Sequence, residues 1–326
     1  MDNLAYLVSP KQVARAIGVS ESSLKRWCDQ GLIEAVRTVG GHRKMSIAAV
    51  MRFVRERDQK LRSPEVLGLP PVSEHAGLGL ARGKPALVEA LLAGDELLGR
   101  QIVFGLYLAK HSLSVICDEV VAAAFREIGD RWACHDADVY QERRGCEIAM
   151  HILFDVRRMQ EAPEKKFLAT GGTIEGDQYS LPSAMAELVL RDSGFHATSL
   201  GTSIPFASLI KAARETRPKV FWLSVSHIRE DLDFISEFAA LSRECAAAGT
   251  ALVVGGRALT DELRQRMTYS AFCDTMQHLE SFARTFIGSL ASGEDALARK
   301  RGRSNQSAKT NNSKRKEKKR ESNRSH

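Results

Sequence analysis

From Lys166 onward the chain alternates in a way that few architectures accept. Apolar runs at 166–170, 196–200, 219–225, 251–254 and 270–273 are separated by helical runs at 182–193, 206–216, 230–248, 260–267 and 276–291. Strands joined by helical crossovers run parallel, so five β-α repeats predict an α/β doubly wound, flavodoxin-like parallel sheet over residues 163–292. Such a sheet receives ligands beyond the C-terminal ends of its strands. The residues expected there are Gly171 to Tyr179 after the first strand and Gly201-Thr202 after the second. Ser224-Val225-Ser226-His227 follows the third, and Gly255-Gly256 the fourth. Glycines and hydroxyls at such edges let polar ligand groups come close to the backbone. The first loop is no GxGxxG dinucleotide fingerprint, and no Walker-type phosphate loop is present.

Upstream the period changes to that of helices. Residues 86–110, 113–132 and 138–160 are helical, and their length fits a four-helix antiparallel bundle over 86–162. Ile116, Val120, Val121, Ala124, Phe125, Ile128 and Trp132 share one face, so periodicity alone assigns Trp132 to the core. Residues 63–85 carry Pro64, Pro70, Pro71, Pro85 and four glycines with little periodicity, and they read as a flexible linker.

Residues 1–62 read as a separate head. Ser9-Pro10 starts a helix striped by Val13, Ala14 and Ile17 and broken at Gly18. Ser20 caps a second helix that runs through Leu24 and Trp27 to Gln30, with Gly31 in the C′ position. This second helix exposes Glu21, Ser22, Ser23, Lys25 and Arg26, the kind of polar and basic face that reads a major groove. The stretch Glu34–Met45 forms a hairpin at Gly40-Gly41, with Arg37, His42, Arg43 and Lys44 on its arms as a phosphate-gripping wing. Ser46 caps a third helix, with Ile47, Val50, Met51 and Val54 inward.

Charge sorts the same segments. Residues 1–62 hold 12 Lys and Arg against 6 Asp and Glu, and residues 299–326 hold 12 against 2. Everything between holds 23 against 32, so two basic ends flank an acidic middle. Nucleic acid or another polyanion is the expected partner of the ends, and the acidic middle is not expected to touch nucleic acid. Residues 293–326 lack the apolar content to repay ordering, which predicts a disordered basic tail that adds salt-sensitive phosphate affinity. The six cysteines form no CxxC pair, no apolar run reaches the ~18–20 residues of a membrane span, and Met1-Asp2-Asn3 begins no signal peptide. A cytoplasmic protein without membrane attachment is expected. No catalytic triad, carboxylate pair or metal-ligand cluster stands out by spacing, so the reading is no enzyme and no metal site.

In order, Ser-Pro-Lys-Gln-Val-Ala, Gly-Val-Ser, Leu-Lys-Arg-Trp, Gly-Leu-Ile and Gly-Gly-His-Arg resemble the winged helix-turn-helix of the MerR family over about residues 5–60. That resemblance implies binding to double-stranded DNA, usually as a dimer. Residues 86–290 look like the cobalamin-binding module of methionine synthase and of CarH/LitR light-responsive repressors. The anchors are Ile128-Gly129-Asp130-Arg131-Trp132, Leu200-Gly201-Thr202-Ser203-Ile204-Pro205, Ser224-Val225-Ser226 and Val254-Gly255-Gly256. The whole order then matches CarH/LitR regulators, in which adenosylcobalamin holds an oligomer on DNA and light releases it. The resemblance implies cobalamin-binding roles for Trp132, Glu142, Asp177, Tyr179, Ser224, Ser226, Gly255 and Gly256.

The chain departs from that family at both axial positions. The lower-ligand motif Asp-x-His-x-x-Gly reads Asp177-Gln178-Tyr179-Ser180-Leu181-Pro182 here, so Tyr stands for His and Pro for Gly. Neutral phenol, with a pKa near ~10, is a poor cobalt ligand beside imidazole. On the upper side Trp132 and Glu142 keep the family spacing, but Arg143 stands where a His is expected. Three readings of the pocket follow: a dimerisation or docking body with no corrinoid, a corrinoid in another coordination state, or a different ligand, anionic or otherwise, recruited by Arg143 and the glycine-rich strand ends. His135, His151 and His227 could supply a metal ligand, though isolated histidines are more often ordinary polar residues. The function expected is a DNA-binding transcriptional regulator and homo-oligomer. A corrinoid methyl carrier or a nucleoid-associated protein without sequence preference are the alternatives.

Overall fold

The computed structural model describes residues 7–71, 79–161, 166–290 and 292. The chain forms two compact units, Met1–Ser281 and Phe282–His326. In the second unit residues 282–290 are helical, with the rings of Phe282 and Phe286 stacked 5.5 Å apart. The tail expected to be disordered, 293–326, lies outside the described residues.

The head has three helices, α1 (Pro10–Ile17), α2 (Glu21–Asp29) and α3 (Ile47–Glu56). Each begins on a serine hydroxyl that accepts a backbone N–H of the first turn: Gln12 on Ser9, Ser23 on Ser20 and Ala49 on Ser46. A cap of this type contributes about 1 kcal/mol. Ser9 and Gln12 also close a reciprocal capping box. Gly18 ends α1 in the left-handed conformation at φ 81°, which a side chain would strain. The expected hairpin is present as β2 (Val36–Arg37) and β3 (Arg43–Ser46), paired antiparallel. A two-residue strand β1 (Leu7–Val8) adds to the outer edge of β3, a feature too short to carry a sequence period.

Behind the head come α4 (Leu80–Ala93), α5 (Glu96–Leu108), α6 (Leu113–Val115), a π-helical stretch Ile116–Ala122, α7 (Ala123–Ala133) and α8 (Val139–Met159). Residues 113–133 form one continuous helical path, so the bundle has four helices. The run expected at 86–110 is two helices, because Gly94 terminates α4 at φ 78° and the Asp95 side chain caps α5 at Leu98 N–H.

Three sequence expectations are corrected here. Residues 63–71 are no free linker: a 3-10 turn at Pro64–Leu67 buries Pro64 and Leu67, and Arg62 and Ser63 donate N–H to the Ala16 carbonyl. Pro85, counted with the linker, lies inside α4. Residues 72–78 lie outside the described residues. Trp132 is not core: it is 53% exposed, although Ile116, Val120, Val121, Ala124 and Ile128 are buried as expected. The bundle has closed around the aliphatic part of that face and left its last turn in solvent.

The head is packed against the bundle by one continuous apolar cluster. Polar contacts reinforce the seam: Arg52 to Glu161 at 2.6 Å, Lys110 to Asp58 at 2.5 Å, and the Arg55 guanidinium 4.0 Å above the Tyr107 ring. Burial raises the Tyr107 pKa, with Arg55 opposing.

The sheet follows as β4 (Leu168–Thr173), β5 (His196–Ser199), β6 (Val220–Ser224), β7 (Ala251–Gly255) and β8 (Ala271–Phe272), in the order β5-β4-β6-β7-β8, with every pair parallel. Helices α9 (Ser180–Asp192), α10 (Phe206–Thr216), α11 (Phe234–Ala248) and α12 (Asp261–Arg264) connect them. Phe221, Leu223 and Val225 enter a core with α10 and α11, whereas α9 joins the cluster shared with the bundle. The two helical layers thus lie on opposite faces of a doubly wound sheet, and its chain reverses direction of winding between β4 and β6.

Candidate functional site

Two places carry the candidate residues: the α2–wing surface of the head and the C-terminal edge of the sheet.

On α2, Glu21, Ser22, Lys25 and Arg26 are exposed and Ser23 is half-buried. The Ser20 hydroxyl lies 2.9 Å from those of Ser22 and Ser23, so three hydroxyls cluster at the helix start. Lys25 pairs with Glu21 at 3.0 Å, one turn earlier. Arg26, Arg37 and His42 have no ion-pair partner among the described residues.

Strand pleating divides the wing. Arg37 faces Arg43 across the hairpin, and Val36 faces Lys44. Arg43 turns onto α2: it pairs with Asp29 at 2.6 Å and donates to the Lys25 carbonyl at 3.1 Å. The Asp29 hydrogen bond raises the Arg43 pKa further. Arg43 therefore braces the wing to α2 instead of standing free for phosphate. Lys44 is on the other face, where with Arg52, Arg55, Glu56 and Asp192 it lines a cleft of about 1020 Å³. The structure thus puts Arg37 on the Arg43 face of the wing and Lys44 on the other, and leaves His42 exposed near the tip. Val39, at the tip of the wing, is fully exposed. The sequence singled out the wing's charges and passed over this apolar tip, whose only signal is its place before Gly40-Gly41.

At the sheet edge Asp177 is completely buried, and its carboxylate is taken up by backbone. Oδ2 accepts Ser226 N–H at 2.6 Å and His227 N–H at 3.4 Å, and Oδ1 accepts Tyr179 N–H at 3.1 Å. One side chain ties the loop after β4 to the loop after β6. Tyr179 is 37% exposed, with the Arg257 guanidinium 4.9 Å from its ring centre. Ser224 is buried and Ser226 half-buried. Gly255 and Gly256 do not form an open cradle. An added Cβ would fall 2.4 Å from the Cys273 carbonyl oxygen at Gly255 and 2.2 Å from that of Val225 at Gly256. Both glycines exist for close passage of the protein's own backbone.

The bundle side is separate in character. Trp132 is exposed, and Arg143 is exposed with its Nε 3.8 Å from Glu142. His135 and His227 are exposed, and His151 lies 3.2 Å from Glu96. Among the described residues no group of three His, Cys, Asp or Glu could hold a metal ion. Burial pushes the thiols of Cys146 and Cys273 up to about 11 and that of Cys245 to about 12, so none is a thiolate nucleophile at neutral pH.

The cobalamin implied by family resemblance does not fit these residues as a His-ligated group. Tyr179 stands at the ligand position, the Asp177 oxygens are engaged by three N–H groups, and Gly255 and Gly256 are closed by carbonyls.

Residues 7–58 match a protein family described as a helix-turn-helix domain. A sequence search of curated proteins gives no match. Among solved structures, the monomethylamine corrinoid protein of Methanosarcina barkeri is similar at a TM-score of 0.53 and 15% identity, over 64% of this chain and 99% of that one. A cobalamin-binding protein from Desulfitobacterium hafniense aligns at 0.36 and 16%, over 64% and 98% of the two chains. The methanol:cobalamin methyltransferase complex of Methanosarcina barkeri aligns at 0.34 and 13%, over 82% and 93%. Among the described residues no helix is long and apolar enough to cross a membrane. The chain thus joins a helix-turn-helix domain to a helical bundle and parallel five-stranded sheet of the fold seen in a corrinoid protein.

Proposed function

We propose that the protein is a MerR-like, DNA-binding transcriptional regulator whose bundle and sheet serve as an assembly or sensor body, and that it is not an enzyme. The observation that carries this reading is the α2–wing surface. Ser22, Lys25 and Arg26 are presented on a capped helix, and Arg37 and His42 lie on a hairpin that Arg43 fastens to that helix. A helix with exposed hydroxyls and cations at its N-terminal half suits base edges in a major groove, and the braced wing suits the adjoining phosphates. The polycationic segment 299–326 adds sequence-independent phosphate attraction.

The body of such a regulator brings two heads together on a palindromic site, so the chain acts as a homo-oligomer in the cytoplasm. Footprinting on genomic fragments followed by a salt titration of the retained site tests the reading. The expected result is a discrete protected site whose affinity falls steeply with salt. A flat salt response contradicts the electrostatic contact, and protection without sequence preference points to a nucleoid-type protein. Removal of residues 299–326 is expected to weaken nonspecific DNA more than the site.

A further inference from the structure

Side chains on β6 alternate between faces. Phe221, Leu223 and Val225 belong to the core with α10 and α11, so residues 222, 224 and 226 look toward α9. Ser224 and Ser226 are the hydroxyls expected to border the nucleotide tail of a cobalamin. Directly behind them stands Trp222. Its indole is 3% exposed and donates its N–H to the Ser183 hydroxyl at 3.0 Å. Ser183 is the residue after Pro182, which stands where the lower-ligand motif has Gly. Gly171 is the cross-strand partner of Trp222, and an added Cβ there would fall 2.0 Å from the Trp222 carbonyl oxygen and 2.4 Å from its indole ring. The glycine on β4 is therefore no opening toward solvent. The side chain it lacks leaves room for both the carbonyl and the indole of Trp222.

We infer that Trp222 is a built-in plug: it fills, from within the chain, the space between β4, β6 and α9 that a planar bicyclic base would need, and it closes the α/β domain to a buried nucleotide tail. Indole and benzimidazole are both flat, fused five- and six-membered aromatics. The indole N–H finds a hydroxyl acceptor in Ser183, so the plug is satisfied in polarity as well as in shape. An apolar cavity made by deleting a core side chain stays open to a planar aromatic of matching size. Trp222→Gly then leaves a pocket for a bicyclic heteroaromatic, oriented by Ser183. The inference concerns the body alone and stands or falls apart from DNA binding.

The test uses the full chain, with indole and 5,6-dimethylbenzimidazole as probes and melting temperature and calorimetric titration as readouts. The wild type is expected to show no shift. W222G is expected to gain roughly 3–5 °C at about ten times the probe Kd, and S183A in that background to weaken binding of both probes, each of which carries a ring N–H. A folded W222G that takes neither probe, or a wild type that takes either, overturns the plug. If W222G does not fold, titration of the wild type with hydroxocobalamin and adenosylcobalamin decides. Loss of all pigment on desalting supports the plug, and stoichiometric retention with a base-off spectrum overturns it.

Discussion

The head and the sheet edge use the same kinds of residue to opposite ends. On α2 and the wing, polar side chains point outward, and the one that turns in, Arg43, does so to hold the others in place. At the sheet edge Asp177 is spent on three backbone N–H groups, Gly255 and Gly256 admit the chain's own carbonyls, and Trp222 fills the interior. A ligand site has to be kept open against the tendency of polar groups to pair and of cavities to fill. The head leaves its polar side chains exposed, whereas the sheet edge engages Asp177 and closes Gly255 and Gly256 from within. The difference teaches that local packing decides whether polar residues and glycines at the edge of an element face solvent or are consumed within the fold.

The strand-end glycines offer the largest effect with which to break this comparison. Gly256 sits at φ 120°, and a Cβ there meets the Val225 carbonyl at 2.2 Å, a backbone atom that cannot swing aside. Gly256→Ala is expected to lower stability by about 4 kcal/mol or to prevent folding, combining steric overlap with left-handed strain. Gly201, at φ 95°, has nothing within 4 Å of its Cβ position, so Gly201→Ala carries the backbone penalty alone, about 1 kcal/mol. Urea unfolding of the two variants measures the contrast. Similar small losses at both positions would mean that Gly256 borders open space after all.

Asp177 gives the next effect. Replacing it by alanine strands the N–H groups of Ser226, Tyr179 and His227 in a buried loop junction, at a cost of about 3 kcal/mol. Asp177→Asn keeps one carbonyl acceptor and is expected to lose about half as much. Equal losses would show that the carboxylate's charge, not its hydrogen bonds, holds the two loops together.

The head should answer in affinity rather than stability. Arg26→Ala is expected to weaken the specific site by about 1–3 kcal/mol if it meets a base edge, with little change in unfolding. Arg37→Ala is expected to reduce the slope of log affinity against log salt by about 1, as for one lost phosphate contact. Lys44→Ala is expected to leave that slope unchanged, because Lys44 lies on the cleft face of the hairpin. A slope change at Lys44 equal to that at Arg37 would place both faces of the wing on DNA.

How legible all this was depends on range. The serine caps of α1, α2 and α3, the glycine stop after α1 and the hairpin at Gly40-Gly41 are local events, and the sequence carries them directly. The five parallel strands were readable because buried strands stand out as apolar runs between helices. What escaped is set by contacts between distant segments. Arg43 reads as one more wing cation until Asp29 is seen opposite it. Pro64 and Pro85 look like linker residues until α1 receives the first and α4 encloses the second. Trp222 is unremarked in an apolar strand, because only the order β5-β4-β6 places it across from Gly171.

The smallest expected effect separates two tryptophans that sequence alone would treat alike. Trp132 falls on an apolar helical face and Trp222 in an apolar strand, yet the first is 53% exposed and the second 3%. Trp132→Ala removes few buried contacts and is expected to change stability by less than about 0.5 kcal/mol, whereas a core tryptophan would lose about 3–5. The sequence has three tryptophans, so fluorescence resolves them. Trp132→Phe is expected to remove the acrylamide-quenchable, red-shifted component, and Trp222→Phe the shielded, blue-shifted one. Should loss of Trp132 instead remove the shielded component, the last turn of α7 is covered in solution. The bundle's exposed end would then be a buried interface, and the contrast between an open head and a closed body would extend to an assembly that hides more of the body than one chain can.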